Sequence, residues 1–268
     1  MSKYLLRQGV KFYYGEDMDT AICATFDNFT VRLAKNTEEI EKAQKLRYEH
    51  LLLEFNKNHS GMTTDCSEQD AFCDHLIVTD VDERVVGTYR LLTSERVKKL
   101  KIPFCCEGEF DLAKLCQKEN VLEIGRAVVH PDYRNAGVFR LLWTGIMDYC
   151  KKFGIEYLFG TASYHGTDPS LYKNSFSNLY FDSRLDESLD CPALEPSLGL
   201  GVLPQDKIDL KAARSETPSL IRAYIAIGAK AASSAFIDYW FNCIDILTVV
   251  DLKRLVKPVL KRMFGIDF

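Results

Sequence analysis

Apolar positions along the chain fall into short blocks whose spacing switches between strand and helix. Residues 29–35, FTVRLAK, alternate as a half-buried strand. Thr37-Glu38-Glu39-Ile40 caps a helix expected to run through 41–55. The polar stretch 56–72, NKNHSGMTTDCSEQD within it, predicts an irregular surface segment. Two strands, 75–79 and 85–93, flank the acidic turn 80–83 and predict a hairpin. A short helix over 110–116 leads to the apolar run VLEIGRAVV at 121–129, a buried strand. His130-Pro131-Asp132 turns the chain, because proline disfavours helix for the residue before it. A helix follows, with Val138, Leu141, Leu142, Gly145, Ile146 and Tyr149 on one face.

Downstream, 155–162 (IEYLFGTA) predicts another buried strand, and Pro169 at a first helical position, after Asp168 as cap, predicts a helix. Three prolines and two glycines make 186–214 an expected long loop or flap. A helix is expected over 219–232 and strands over 236–239 and 243–250. Strands with interspersed helices and a hairpin define the expected fold class: α/β, a mixed sheet with helices on both faces. The expectation is one domain over 1–268, with its core at 29–250 and a basic amphipathic tail at 251–268.

Composition narrows the function classes. The 268 residues carry 34 Lys and Arg against 38 Asp and Glu, a net charge of −4, so no basic field points to nucleic acid. Nine cysteines without a CxxC pair read as reduced thiols in a cytoplasmic protein, not as a disulfide frame or a metal site. The first residues, MSKYLLRQGVKFYYGED, are too polar for a secretory signal, and no apolar run approaches the roughly 18 residues of a membrane span.

Candidate chemistry centres on 121–149. Glu123 and Arg126 interrupt an apolar strand, where an unpaired charge is costly. Their parity would send them to opposite faces of a regular strand, and Gly125 between them suits a bulge that brings both to one cleft. Strand, basic glycine-containing loop and helix N-terminus together aim backbone N–H groups at one spot, suited to a phosphate or thioester oxygen. Arg47 and Arg90, in apolar surroundings, could face the acyl or amino-acid pocket. His75 and His165 read as packing or hydrogen-bonding residues.

Several blocks carry a resemblance. The 121–146 unit resembles the acyl-thioester site of the GNAT N-acyltransferase superfamily. The blocks CDHLIV (73–78), VVGTYRLLT (85–93), EFDL (109–112), LEIGRAVV (122–129) and LFGTASYHGTDP (158–169) resemble the bacterial L-ornithine–acyl carrier protein N-acyltransferases, as does the segment from SLIRAYIAIGAKA to FIDYWFNCIDILTVV. Their shared order spans about 29–250. The E-x-x-R pair and the hairpin arginine also resemble, more distantly, acyl-homoserine-lactone synthases.

The resemblance implies an N-acyltransferase that moves a 3-hydroxyacyl chain from the phosphopantetheine thioester of acyl carrier protein to the α-amine of ornithine, with no permanently bound cofactor. Glycine or lysine as acceptor, lactone synthesis, and a membrane-active, hemolysin-like or non-catalytic protein are the alternatives. Glu123 and Arg126 are the expected catalytic pair, with Glu123 as general base. The donor arm is expected along an opened strand edge at Ala127, Val128 and Val129, its phosphate at Arg134, Gly137 and Val138. Asp65 and Asp70 stand where the family carries acids, and the resemblance implies a grip on a cationic side chain, with Arg47 and Arg90 also substrate-binding.

Two further expectations concern partners. The loop ends in Phe139 where the superfamily has a small residue, and its crowding favours carrier protein over coenzyme A. Arg134, Arg140, Lys151 and Lys152 supply local positive charge for an acidic carrier. In 251–264, apolar Leu252, Leu255, Val256, Val259, Leu260, Met263 and Phe264 oppose Lys253, Arg254, Lys257, Lys261 and Arg262, a pattern that suits either a helix packed on the core or peripheral attachment to an anionic inner-membrane surface.

Overall fold

The computed structural model describes residues 22–59 and 61–266. The signal-peptide reading of the first seventeen residues therefore lies outside the described residues. In chain order the strands are β1 (Cys23–Phe26), β2 (Phe29–Leu33), β3 (Asp74–Thr79), β4 (Val85–Thr93), β5 (Val121–Val129), β6 (Tyr157–His165), β7 (Ser197–Gly199), β8 (Lys230–Asp238) and β9 (Cys243–Asp251). The α-helices are α1 (Thr37–Arg47), α2 (Leu53–Phe55), α3 (Ser94–Leu100), α4 (Ala113–Cys116), α5 (Val138–Phe153), α6 (Lys173–Asp182), α7 (Leu210–Glu216), α8 (Ser219–Ala226) and α9 (Lys257–Phe264). A π-helical turn, Tyr48–Leu52, joins α1 to α2.

The chain forms two compact units, one of Met1–Lys101, Glu123–Gly154 and Lys261–Phe268, the other of Ile102–Leu122 and Ile155–Leu260. In the first, strands run in the order β1-β2-β3-β4-β5, and β1 to β4 pair antiparallel. Alternation along β3 sorts its neighbours. Leu76 and Val31 meet α5 at Gly145, whereas Ile77 packs with Ala34, Ile40 and Ala43 beneath α1. The two helices therefore cover opposite faces. Arg90 pairs with His75, which shares the parity of Ile77, so both side chains stand on the α1 face.

In the second unit the order is β6-β9-β8-β7, antiparallel throughout. The 186–214 segment is not a free flap. Asp111 N–H donates to Pro192 O (2.9 Å), Leu194 N–H to Glu109 O (2.8 Å), and Cys191 and Leu200 are fully buried. Asp168 caps as expected, accepting from Ser170 N–H, although Pro169 opens a 3₁₀ turn before α6 begins.

Three expectations are corrected. The helix expected to reach 232 stops at Ala226, and β8 begins at Lys230. Gly228, at φ +105°, takes the chain out of the helix in a conformation closed to other residues. The helix expected through 41–55 opens into its π turn at Tyr48. The tail is a 3₁₀ turn, Leu252–Arg254, followed by α9, so Pro258 lies in a first turn where its missing N–H costs nothing. Leu252, Leu255, Leu260 and Phe264 are buried, and Phe264 stacks on Trp143 at 5.0 Å. Those four side chains are thus packed on protein, whereas Val256 and Met263 are exposed. Among the described residues no helix is long and apolar enough to cross a membrane.

Candidate active site

The site is built on the α1 face of the first unit. Arg47, at the end of α1, is fully buried, its Nη2 2.6 Å from Asp70 Oδ2 and its Nε 3.1 Å from Asp65 Oδ2. Its Nη2 also donates to the Asp65 carbonyl, and Nη1 has no hydrogen-bond partner among the described residues. Arg90 Nη1, from β4, reaches Asp70 Oδ1 (3.2 Å) and Ser67 Oγ (3.1 Å). Gln44 Nε2 and Ser67 N–H complete the shell of Asp70. The 56–72 stretch is therefore not a solvated surface loop at these positions: Asp65 and Asp70 are 2% and 1% exposed. Burial pushes the Asp70 carboxyl up, but Arg47 and Arg90 overcome it and hold the group well below the usual carboxylate range.

Strand β5 brings the remaining pair. Glu123 is 5% exposed, a carboxylate among Val121, Leu122 and Ile124. Arg126 adopts φ +53°, so the irregularity expected at Gly125 falls one residue later. A non-glycine residue in that region is strained, of order 1–3 kcal/mol, and such strain clusters at functional sites. The turned backbone directs Arg126 Nε to within 3.0 Å of Asp65 Oδ2, with a fifth of the side chain open to solvent. Arg47, Arg90 and Arg126 thus meet around Asp65 and Asp70, and Arg126 is the most exposed guanidinium of the three.

His75 lies beneath this cluster, its Nε2 donating to the Asp70 carbonyl at 3.0 Å. Burial pushes it down to about 4, Asp70 opposing and Arg47 reinforcing the shift. An unfolded histidine binds its proton near pH 6.5, so between pH 6.5 and 4 the unfolded chain holds a proton that the native one lacks, and stability falls as pH drops through that window. The expected loss from this group is about 3 kcal/mol. Urea denaturation at intervals from pH 7 to 4 should show it, and His75→Gln should flatten the slope. Asp70 adds its own loss only below about pH 4, where an unfolded aspartate protonates.

The loop after β5 closes with Gly137 at φ +79°, the N-cap of α5. Leu141 N–H makes the first intrahelical bond to Gly137 O (2.9 Å), which by helix geometry leaves the preceding N–H groups outside the ladder. Val138 is buried against Gly87, and Arg134 is exposed, 3.0 Å from Glu54. Phe139, in the first turn of α5, lies against Phe264 with ring centroids 5.8 Å apart. Phe26 is the aromatic ring over Gly137, and the Arg140 guanidinium lies 5.3 Å from it. Sequence reasoning had no signal for Phe26.

Metal-ligand chemistry arises in one group among the described residues, Asp238, Cys243 and Asp245 in the second unit. Burial pushes the Cys243 thiol far up, and Asp245 accepts from Ser163 Oγ at 2.5 Å, so this set is satisfied as a neutral thiol and a hydrogen-bonded carboxylate.

A buried carboxylate on β5, an arginine–aspartate cluster reached by Arg126 of the same strand and a glycine-capped helix N-terminus suit an acyl-transfer site of GNAT type. Residues 46–144 match the family model described as Acetyltransferase (GNAT) domain. The chain belongs to the L-ornithine N(alpha)-acyltransferase family. It is 32% identical to the enzyme of that name from Rhodobacter capsulatus over 85% of this chain and 92% of that one, and 30% identical to that from Brucella abortus over 90% and 91%. Among solved structures it is similar to FeeM, an N-acyl amino acid synthase from uncultured soil microbes, with a TM-score of 0.46 at 8% identity over 84% of this chain and 91% of that one.

Proposed function

We propose that this acyltransferase moves a 3-hydroxyacyl chain from acyl carrier protein to the α-amino group of L-ornithine, giving a lyso-ornithine lipid and the free carrier thiol. The observation that carries the reading is Glu123, buried on β5 three residues before an arginine that the backbone turns onto Asp65. Glu123 takes a proton from the α-ammonium, directly or through water. The freed amine attacks the thioester carbonyl, the C–S bond breaks, and the departing sulfur takes a proton. Backbone along Ala127, Val128 and Val129 lines the pantetheine arm and offers N–H groups to the oxyanion. Arg134, Gly137 and Val138 receive the phosphate.

Charge supports the role of Arg126. Of the three guanidinium groups around Asp65 and Asp70, that of Arg126 is the most open to solvent, which suits it to contact the α-carboxylate of the amino acid. Asp65 and Asp70 are already engaged by arginines, so the expected grip on a cationic side chain gives way to a positioning role, shared with Arg47 and Arg90.

The carrier reading draws on exposed Arg134, Arg140, Lys151 and Lys152, joined by Lys261 and Arg262, which suit an acidic partner on a chain that is acidic overall. Attachment to an anionic bilayer would run through the same kind of charge, since Leu260 and Phe264 of α9 are buried. The test compares acyl-carrier and acyl-coenzyme A donors with matched chains. The kcat/KM for the carrier should be the higher and should fall with salt, as the screening length shrinks from about 10 Å at 0.1 M to about 3 Å at 1 M. Equal values for both donors would overturn the carrier assignment.

A further inference from the structure

A pair of histidines next to the donor loop is unused by this mechanism. His50 sits in the π-helical turn Tyr48–Leu52, and its ring meets that of His130 edge to face, centroids 4.5 Å apart at 69°. His130 is the residue after β5, at the entry to the loop that ends in Gly137. Its N–H is fixed to Val86 O at 2.9 Å, and its Nδ1 accepts from Asp132 N–H at 3.3 Å, which assigns the ring proton of the neutral form to Nε2. Single π turns inside α-helices recur at functional sites, because the wider turn re-aims a side chain. Here the turn carries an imidazole, that of His50.

The charges facing the pair come from three segments. From its own turn and α2, Glu49 and Glu54 act on His50; from the loop, Arg134 does, with Asp132 and Tyr133 beside His130. Glu54 is held by Arg134 at 3.0 Å. Two imidazolium rings at this separation, next to a guanidinium, repel each other, and burial also disfavours a charged His50. An arriving anion reverses that balance. We propose that His50 and His130 form a second phosphate-binding element of the donor site, an imidazole pair that takes up a proton as the phosphodiester of the phosphopantetheine arm binds. The proposal rests on the reading of the loop as the donor's phosphate site. It assigns the pair to binding, not to chemistry, and by linkage a donor that binds with a proton binds more tightly at lower pH.

The test uses the full-length enzyme, ornithine and two small donors of the same chain, acyl-4′-phosphopantetheine and acyl-pantetheine, which lacks the phosphate. For the phosphorylated donor, KM should rise with pH as the pair gives up its proton. His50→Gln and His130→Asn should each raise that KM by about tenfold, the loss of one charge-assisted hydrogen bond, and should flatten its pH dependence while kcat moves less than about twofold. For acyl-pantetheine, KM should be unchanged in both variants. Equal KM increases with both donors, or a wild-type pH dependence kept by both variants, would overturn the proposal. Gly137→Val separates the two readings: it should raise KM for the phosphorylated donor whatever the histidines do, and no change would instead remove the loop assignment.

Discussion

Glu123→Gln is expected to lower kcat by about 10²–10⁴-fold, the usual cost of removing a general base. Glutamine keeps the size of the side chain and its hydrogen-bonding reach, so the apolar neighbours Val121, Leu122 and Ile124 need not move. Thermal unfolding should remain within a few degrees of wild type, roughly the shift expected for 1 kcal/mol or less. On the proposed reading, in which backbone and loop hold the thioester arm, the donor KM should hold. A folded Glu123→Gln enzyme with near-wild-type turnover would leave Glu123 as a buried structural carboxylate.

Asp70→Asn is the largest expected loss of stability. One carboxylate accepts from Arg47, Arg90, Gln44 and the Ser67 N–H while 1% exposed. Removing its charge leaves two buried guanidinium groups short of an anion and presents an amide N–H₂ to donors. Breaking such a pair costs about 3–5 kcal/mol, and urea denaturation at pH 7 would read it directly. The double variant Arg47→Met, Asp70→Leu should recover part of that loss, because an apolar replacement of both partners leaves no stranded charge. A loss below about 1 kcal/mol for Asp70→Asn, the range of an exposed ion pair, would mean that the cluster is not desolvated as described.

The same cluster shows what the sequence could and could not disclose. The hairpin β3–β4, the strand β5 and the helix α5 follow from periodicity because each buries one face or a whole run of side chains. The stretch that supplies Asp65 and Asp70 has no periodicity, and its polar composition reads as solvent. Its burial comes from tertiary pairing with Arg47, Arg90 and Arg126. A signal was present all the same: arginines in otherwise apolar surroundings require acidic partners somewhere in the chain. The turned strand was anticipated at a glycine and occurs at Arg126 because Asp65 anchors that side chain. The first part of the strand β8, ahead of the 236–239 that the pattern discloses, is hidden for the opposite reason. KAASSAFID is rich in alanine and serine, which continue the preceding helical pattern, and Gly228 is the punctuation that ends it. Helix α3 was missed although Thr93 caps it through Arg96 N–H. The π turn leaves no mark in composition at all.

The most direct measurement is mass spectrometry of the product formed by purified enzyme from 3-hydroxyacyl carrier protein and an equimolar mixture of ornithine, lysine and glycine. The account predicts one dominant product, the amide of ornithine acylated on its α-nitrogen, with fragmentation that leaves the δ-amine free, and its disappearance with Glu123→Gln. A dominant lysine or glycine amide, a lactone, or acylation at the δ-nitrogen would contradict it.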